Sequence, residues 1–549
     1  MLQMNNLLKL YILLAVLVGL TACSGNTNAP TSSSTTSPAV TEEIAVESTN
    51  ETVSASFEEQ KVSTSLGDLT PVIVLTATSM DRLDPYFMSS VHPEGSVAAH
   101  IWDTLIWIND DLELEPKLAE SWRLINDLTW EVTLRQDVTF HNDEHFNSEA
   151  VRFSVERSQS LQGSLETFAA DIKLGRVEVV DDYTVRFHTQ EPVANFPYYL
   201  ASLEILPPGY YSEKNTDGDV ETPVGSGPYQ FVEKTADGSI TLKAVPDYWA
   251  GPPTIDTIIF QAISDASQRR NELANGRADI ITDLTPTQAA AWKPEFGELQ
   301  AIESTRRIFI GLRIENGSPL ADERVRQALN YAVNVQAIID GLLGGYGQRY
   351  GSWVNAPYAN TDLTPWPYDP NKARELLAEA GYEEGFDIVL DTPLERYHQD
   401  VAVAQAIGEQ LREVGINVEI RSHDWPAYVN DYLVPHRMAP LFLLGFNSRG
   451  NGLEDTNNLG FNFPFNLTRW QNAEFERLLQ KAGSTFNNNQ QQILLNQAQN
   501  IAYAEAPWIW LWRQYNFYGT NPQLDWQPRP DGLVYLYRPA LSTDVEGDN

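Results

Sequence analysis

Residues 386–420 read FDIVLDTPLERYHQDVAVAQAIGEQLREVGINVEI. The apolar run at 386–390 predicts a strand, 400–414 a helix closed by Gly415, and 416–420 a second strand. A third unit follows, with a helix expected at 426–433 and a strand at 440–445. This β-α-β-α-β order implies parallel strands joined by right-handed crossovers. In such sheets ligands bind beyond the carboxyl ends of the strands. That rule singles out three loops, 391–399, 422–425 and 446–455, which should open on one edge. The first carries Arg396, Tyr397 and His398, and the second His423, Asp424 and Trp425. The third carries Phe446, Asn447, Arg449, Glu454 and Asp455.

Upstream, Asp369-Pro370 starts a helix, with Asp as N-cap and Pro in the first turn, and Gly381 ends it. Residues 322–343 place Val325, Leu329, Ala332, Val333, Ile339 and Leu343 on one helical face. Strands are expected at 72–75 (VIVL), 130–134 (WEVTL) and 184–188 (TVRFH). A further pair at 230–232 and 240–243 is joined by a hairpin turn at Asp237-Gly238. Asn147 or Ser148 caps another helix. The loop after the first strand, 78–87, carries Tyr86 and Phe87. With Trp425 and Phe446 these rings offer stacking surfaces for a roomy, wet pocket.

At the amino end, 7–20 (LLKLYILLAVLVGL) is an apolar run too short to span a bilayer comfortably, and small residues follow it. Leu20-Thr21-Ala22-Cys23 resembles the lipobox of bacterial lipoproteins, in which the cysteine is acylated. Cys23 is the single cysteine of 549 residues, so the rest of the chain offers no disulfide and no thiolate metal site. Residues 24–66 are rich in Ser, Thr, Asn and Glu and lack apolar periodicity, as a flexible tether would. The net charge of −37, against 37 basic side chains, argues against nucleic acid as a partner. It suits an exported protein kept dispersed by self-repulsion.

Leu83-Asp84-Pro85, then 101–105 (IWDTL), 114–122 (LEPKLAESW), 138–142 (VTFHN) and 225–229 (GSGPY), taken in this order, resemble the bacterial extracellular solute-binding proteins of the peptide and nickel class (family 5), lipoproteins that serve ATP-driven (ABC) importers. Leu83-Asp84-Pro85 and Ile101-Trp102-Asp103-Thr104-Leu105 look like the family's opening motif. The run 114–122 (LEPKLAESW) matches its signature of a Pro, a Leu-Ala and a Trp. The runs 138–142 (VTFHN), 225–229 (GSGPY), 319–329 and 368–382 follow in the family's order, so the resemblance covers roughly 68–539.

The resemblance implies an α/β, two-lobed periplasmic-binding-protein fold of the large peptide-binding type, with a hinge. The expected divisions are a signal peptide at 1–22 and a lipidated, flexible tether at 23–67. Lobe I is then 68–312 plus 515–545, with an extra subdomain at about 110–225, and lobe II is 313–514. The implied protein is a monomer, lipid-anchored outside the cytoplasm, in the periplasm or at the cell surface. It hands a small solute, a peptide or peptide-like compound, to its permease. It is not an enzyme and needs no cofactor or metal. A metal chelate or an oligosaccharide is the alternative cargo.

In peptide-binding members an arginine in the loop matching 391–399 pairs with the ligand's C-terminal carboxylate, which assigns that role to Arg396. Its planar fork suits a carboxylate and stays charged. The alternative is a surface arginine paired with Glu395 or Asp400. The family's Gly-Trp motif, followed by an acid that holds a peptide's ammonium, aligns with Gly445-Phe446. Asn447 and Arg449 follow here, and Asp455 or Glu454 is left to substitute for the acid. A base in this loop favours an anionic or neutral ligand. The expected ligand set is therefore Arg396, Tyr397, Trp425, Phe446, Asn447, Arg449, Asp455, Tyr86 and Phe87.

Two further motifs invite chemistry. His141 and His145 mimic an i, i+4 metal pair, but a structural Phe-His strand-turn is the stronger reading. A secreted hydrolase lacks a supporting constellation, since neither Gly-x-Ser-x-Gly nor His-Glu-x-x-His is present.

Overall fold

The computed structural model describes residues 71–80, 82–88, 91–160, 173–212, 220–448, 450–458 and 467–537. The expected signal segment, Cys23, the tether and Arg449 lie outside them. Among the described residues no helix is long and apolar enough to cross a membrane.

One eleven-stranded mixed sheet organises the chain. At one end strand Phe386–Leu394 lies between Ile416–Asp424 and Leu441–Phe446, and pairs parallel with both. These are the three parallel strands expected from 386–445. Helix Asp400–Glu413 connects the first two and packs on them through Val403, Ala404, Ile407 and Leu411. Gly415, with φ 93°, ends that connection in a conformation glycine adopts without strain.

Two of these strands run four residues further than their apolar patterns suggest, to Leu394 and Asp424. Thr392 precedes Pro393, and a residue before proline is steered to extended backbone. The pairing therefore continues to Leu394↔Asp424. Residues 322–343 form two helices, Glu323–Ala332 and Val335–Leu342, instead of one. Asn334 breaks them, because its side chain accepts from Ala337 N (3.1 Å) and caps the second helix. The helix expected at 426–433 is one turn, Trp425–Ala427, continued by a wider π-turn at Tyr428–Leu433.

The sheet crosses between two bodies on a pair of long strands, Glu298–Leu312 and Trp508–Thr520. Ile302 packs on one core, which gathers residues from Val72 to Ile280 and from Tyr518 to Tyr537. Ile308, Ile310 and Leu312 pack in another, with Leu390, Ile407, Leu441 and Leu511. The change of core falls at an irregularity. Glu303 pairs with Tyr515 and Arg307 with Arg513, so residues 304–306 stand opposite Gln514 alone. A separate antiparallel sheet of four strands (Ala119–Asn126, Thr129–Leu134, Thr184–Thr189, Leu174–Asp181) sits in the first body.

Four of the sequence motifs meet around one buried carboxylate. Asp103 accepts from Tyr248 Oη (3.0 Å), Trp249 Nε1 (3.0 Å) and Ser226 Oγ (3.2 Å). Lys117 Nζ lies 3.1 Å away, in ion-pair contact, over the Trp107 ring. Gly227 N donates to Ile101 O (2.9 Å) and Trp102 Nε1 to Val224 O (2.9 Å). A Cβ on Gly225 would sit 2.0 Å from Ile101 O, so this approach requires glycine. His141 closes the cluster: its Nε2 is 2.9 Å from Gly227 O and its Nδ1 3.3 Å from Gly225 N. Both ring nitrogens of His141 are thereby spent on backbone.

His100 is fully buried near the end of helix Glu94–Ile101. Its Nε2 accepts from Leu536 N (3.0 Å), so Nδ1 carries the proton donated to Ser96 O (2.6 Å). Burial pushes its pKa down from 6.5 to about 4. His398, also buried, is lowered to about 4 for the same reason. A group with a folded pKa below its unfolded one binds protons more readily in the unfolded chain. Its stabilisation is present above 6.5 and is lost as pH falls toward 4. At most about 3 kcal/mol is at stake per histidine. Calorimetric melts should therefore hold level above pH 6.5 and fall below it. His100→Gln should remove part of that slope, and a wild-type melt unchanged down to pH 4.5 would contradict the assignment.

Candidate functional site

Beyond the end of strand Phe386–Leu394 the chain makes a tight loop at 395–399, with Glu395 and Gln399 at φ 59° and 57°. Non-glycine residues in that region cost energy and persist where surrounding contacts impose them. Asp400 imposes them here. Its carboxylate accepts from the backbone N of Arg396 (2.9 Å), Tyr397 (3.2 Å) and Val401 (2.9 Å) at the start of the following helix. A negative charge there also complements the helix dipole.

The knot fixes where Arg396 points. Its guanidinium pairs with neither Glu395 nor Asp400; it lies over Trp425 (4.7 Å) and Tyr397 (5.9 Å). Trp425 in turn stacks on Tyr428 (5.9 Å). Tyr397 is buried, and its Oη donates to Gly445 O (3.2 Å) in the neighbouring parallel strand. A Cβ at Gly445 would meet the Tyr397 ring at 2.7 Å, so glycine admits the tyrosine.

A second arginine arrives from the crossing strand. Side chains alternate along a strand, and the doublet Arg306-Arg307 sends one guanidinium to each face. Arg307 goes inward and pairs with Asp455 at 2.6 Å. Arg306, in the bulged stretch, turns to the gap between the two bodies and donates from Nε to Asn447 Oδ1 (2.8 Å). Bulges re-aim side chains in this way beside binding sites. Burial first, then the like charge of Arg396, pushes the pKa of Arg306 down.

The gap holds two adjoining compartments of about 600 and 1000 Å³. Both draw walls from each body and share Val91, Thr305, Arg306, Arg396, Asn447 and Asp531. The smaller one is largely apolar, with Tyr86, Met88, Trp102, Trp107, Leu112 and Phe446. The larger is more polar, with His92, Thr282, Asp283, Tyr397, His398 and Gln514.

Of the expected ligand set, Arg396, Tyr397, Phe446, Asn447 and Tyr86 line this gap. Tyr86 is held by bonds from its Oη to Ser154 O (3.2 Å) and Glu204 O (2.8 Å). Phe87 is core and lines neither compartment. Trp425 stands behind Arg396 as its stacking support. The structure does not bring Asp455 to the gap: its carboxylate is buried against Arg307 and Ser448 Oγ (2.6 Å). No residue of the loop at 422–425 lines either compartment: His423 turns to Asp391, its Nε2 3.2 Å from Oδ1, and Trp425 packs behind Arg396. Arg306 escaped the sequence reading because a bulge leaves no mark in an apolar run; the adjacent arginines were its one visible sign.

Comparison with known proteins bears on this geometry. A family profile described as "Bacterial extracellular solute-binding proteins, family 5 Middle" matches residues 113–466. Glutathione-binding protein GsiB of Salmonella typhi is 29% identical over 454 residues, which is 80% of this chain and 88% of that protein. HbpA2 from Haemophilus parasuis superposes with a TM-score of 0.75 at 25% identity, covering 85% of this chain and 98% of its own. DppA from Helicobacter pylori, solved with the peptide STSA, gives 0.70 at 23% identity over 85% of this chain and 98% of its own, a likeness of fold. The two-lobed α/β architecture with a mixed sheet is that of the periplasmic binding proteins. The chain belongs to the bacterial extracellular solute-binding proteins of family 5.

Proposed function

We propose that the gap between the two bodies captures a short peptide or peptide-like solute and that the protein delivers it to the permease of an ABC importer. The observation that carries this reading is Arg396. Its guanidinium lies 4.7 Å from the centre of the Trp425 ring and beside Tyr397, and it forms no ion pair with a described residue. An arginine so held offers in-plane donors to a carboxylate, the geometry in which it binds one bidentately. The names of GsiB and of peptide-bound DppA supply analogies for the cargo. In this reading the bodies divide where the two long strands change core, and the ligand stabilises the closed arrangement because only there does it touch both. Acylation at Cys23 would keep the protein at the membrane. Loss of palmitate labelling in Cys23→Ala tests that anchor, and retained labelling would exclude it.

Calorimetric titration tests the binding reading. A carboxylate-bearing peptide should bind 1:1 without product, and Arg396→Ala should weaken it by about 1.5–3 kcal/mol, the worth of a charged hydrogen bond. Unchanged affinity would return Arg396 to the surface, and sustained turnover would move the protein to a hydrolase class.

A further inference from the structure

Four of the described arginines line the gap; Arg529 is paired with Asp531 and Arg269 bonds the backbone carbonyls of Ile263, Ser264 and Asp283, which leaves Arg306 and Arg396. Arg306 and Arg396 each line both compartments, so they stand where the two meet. Among the described residues neither forms an ion pair; Arg306 gives its Nε to Asn447, and Arg396 stacks on rings. Neither guanidinium has a described carboxylate partner, and Arg396 spends one donor on the Tyr397 side chain.

Glu204, Glu395 and Glu454 line the gap beside Asp283, Asp400 and Asp531, and among the described residues none of the six is in ion-pair contact with Arg306 or Arg396. Asp283 accepts from Thr282 Oγ1 (2.6 Å) and Ala77 N (3.1 Å). Asp531 is held by Arg529 (2.6 Å) and Leu533 N (3.0 Å), and Asp400 by its own loop. His92 and His398 are lowered by burial and add no charge near neutrality. Among the described residues neither arginine has a carboxylate in ion-pair contact, so each is free to take an anionic group of the cargo as its direct partner.

We propose that Arg306 is a second anion anchor and that the preferred cargo is an acidic peptide or peptide-like compound carrying two carboxylates, one for each arginine. This rests on the reading that the gap holds a peptide-like solute, and it narrows that class. The apolar compartment takes the part of the cargo that projects past the arginine pair.

The test uses acid and amide pairs of nearly equal shape that keep the C-terminal carboxylate: Ala-Ala-Glu with Ala-Ala-Gln, and Ala-Glu-Ala with Ala-Gln-Ala. Each is titrated into the wild-type protein, Arg306→Gln and Arg306→Lys, with the unliganded melt of each variant as the folding control. The diacid of each pair should bind wild type at least about tenfold tighter than its partner. That preference should vanish in Arg306→Gln and largely survive in Arg306→Lys. Equal wild-type affinity within both pairs would overturn the second anchor while leaving the peptide reading in place, and it needs no variant to fold. If no peptide of the set binds at millimolar concentration, the peptide reading falls and the second anchor with it.

Discussion

Asp455→Ala should destabilise the body built on residues 308–512 by about 3–5 kcal/mol, the range for breaking a buried ion pair by removing one partner. Arg307 is fully buried, and its Nη2 lies 2.6 Å from Asp455 Oδ2. Its Nε and Nη1 find no acceptor, and the guanidinium sits over the Trp353 ring at 5.3 Å. Removal of Asp455 therefore strands a cation with one ring face for company. Ser448 Oγ loses its acceptor as well. Burial already pushes the Arg307 pKa down, and Asp455 opposes that shift. Urea titration followed by tryptophan fluorescence reads the loss. The double variant Arg307→Met/Asp455→Leu should recover much of it, because well-packed apolar replacements of buried pairs are often neutral. A melt like wild type for Asp455→Ala, with ligand affinity lost, would make Asp455 a ligand anchor after all.

Asp103→Ala should be of comparable size, about 4 kcal/mol or more, because one side chain satisfies four partners at once. Tyr248, Trp249 and Ser226 would each keep a buried donor with no acceptor, and Lys117 would lose its counter-ion. Each stranded polar group costs about 1–3 kcal/mol, and networked groups do not add independently. Asp103→Asn keeps the shape but presents donors to donors and removes the charge, so it should recover a minor share. The loss should appear in the body that holds the four-stranded sheet, seen as earlier proteolysis there. Stability within 1 kcal/mol of wild type for Asp103→Ala, by the same urea assay, would show that the cluster does not hold that body together.

These two carboxylates mark the boundary of what local sequence reveals. The helix starts at Asp369-Pro370 and Asn147, the hairpin at Asp237-Gly238 and the three parallel strands were legible because caps, turns and apolar periods act within a few residues. The loop at 395–399, which lines the gap, was legible because a strand order dictates which edge is open. Asp455 was misassigned to the gap because its partner stands 148 residues earlier in the chain. Phe87 sits one residue from Tyr86 yet faces the core, and nothing in the loop's composition separates the two. Arg306 depended on a bulge whose cause is the pairing of strands roughly 200 residues apart. The family motifs serve both ends: Asp103, Lys117, His141 and Gly225 meet one another and line neither compartment, whereas Pro85, Trp102 and Thr104 line the smaller one.

Native mass spectrometry of the full chain purified from its host without added ligand tests the central claim most directly. Wild type should carry a single small acidic molecule in 1:1 stoichiometry, and Arg306→Gln/Arg396→Gln should fly without it while melting normally. The same molecule retained by the double variant, or a wild-type cargo with no acid group, would contradict capture on the arginine pair.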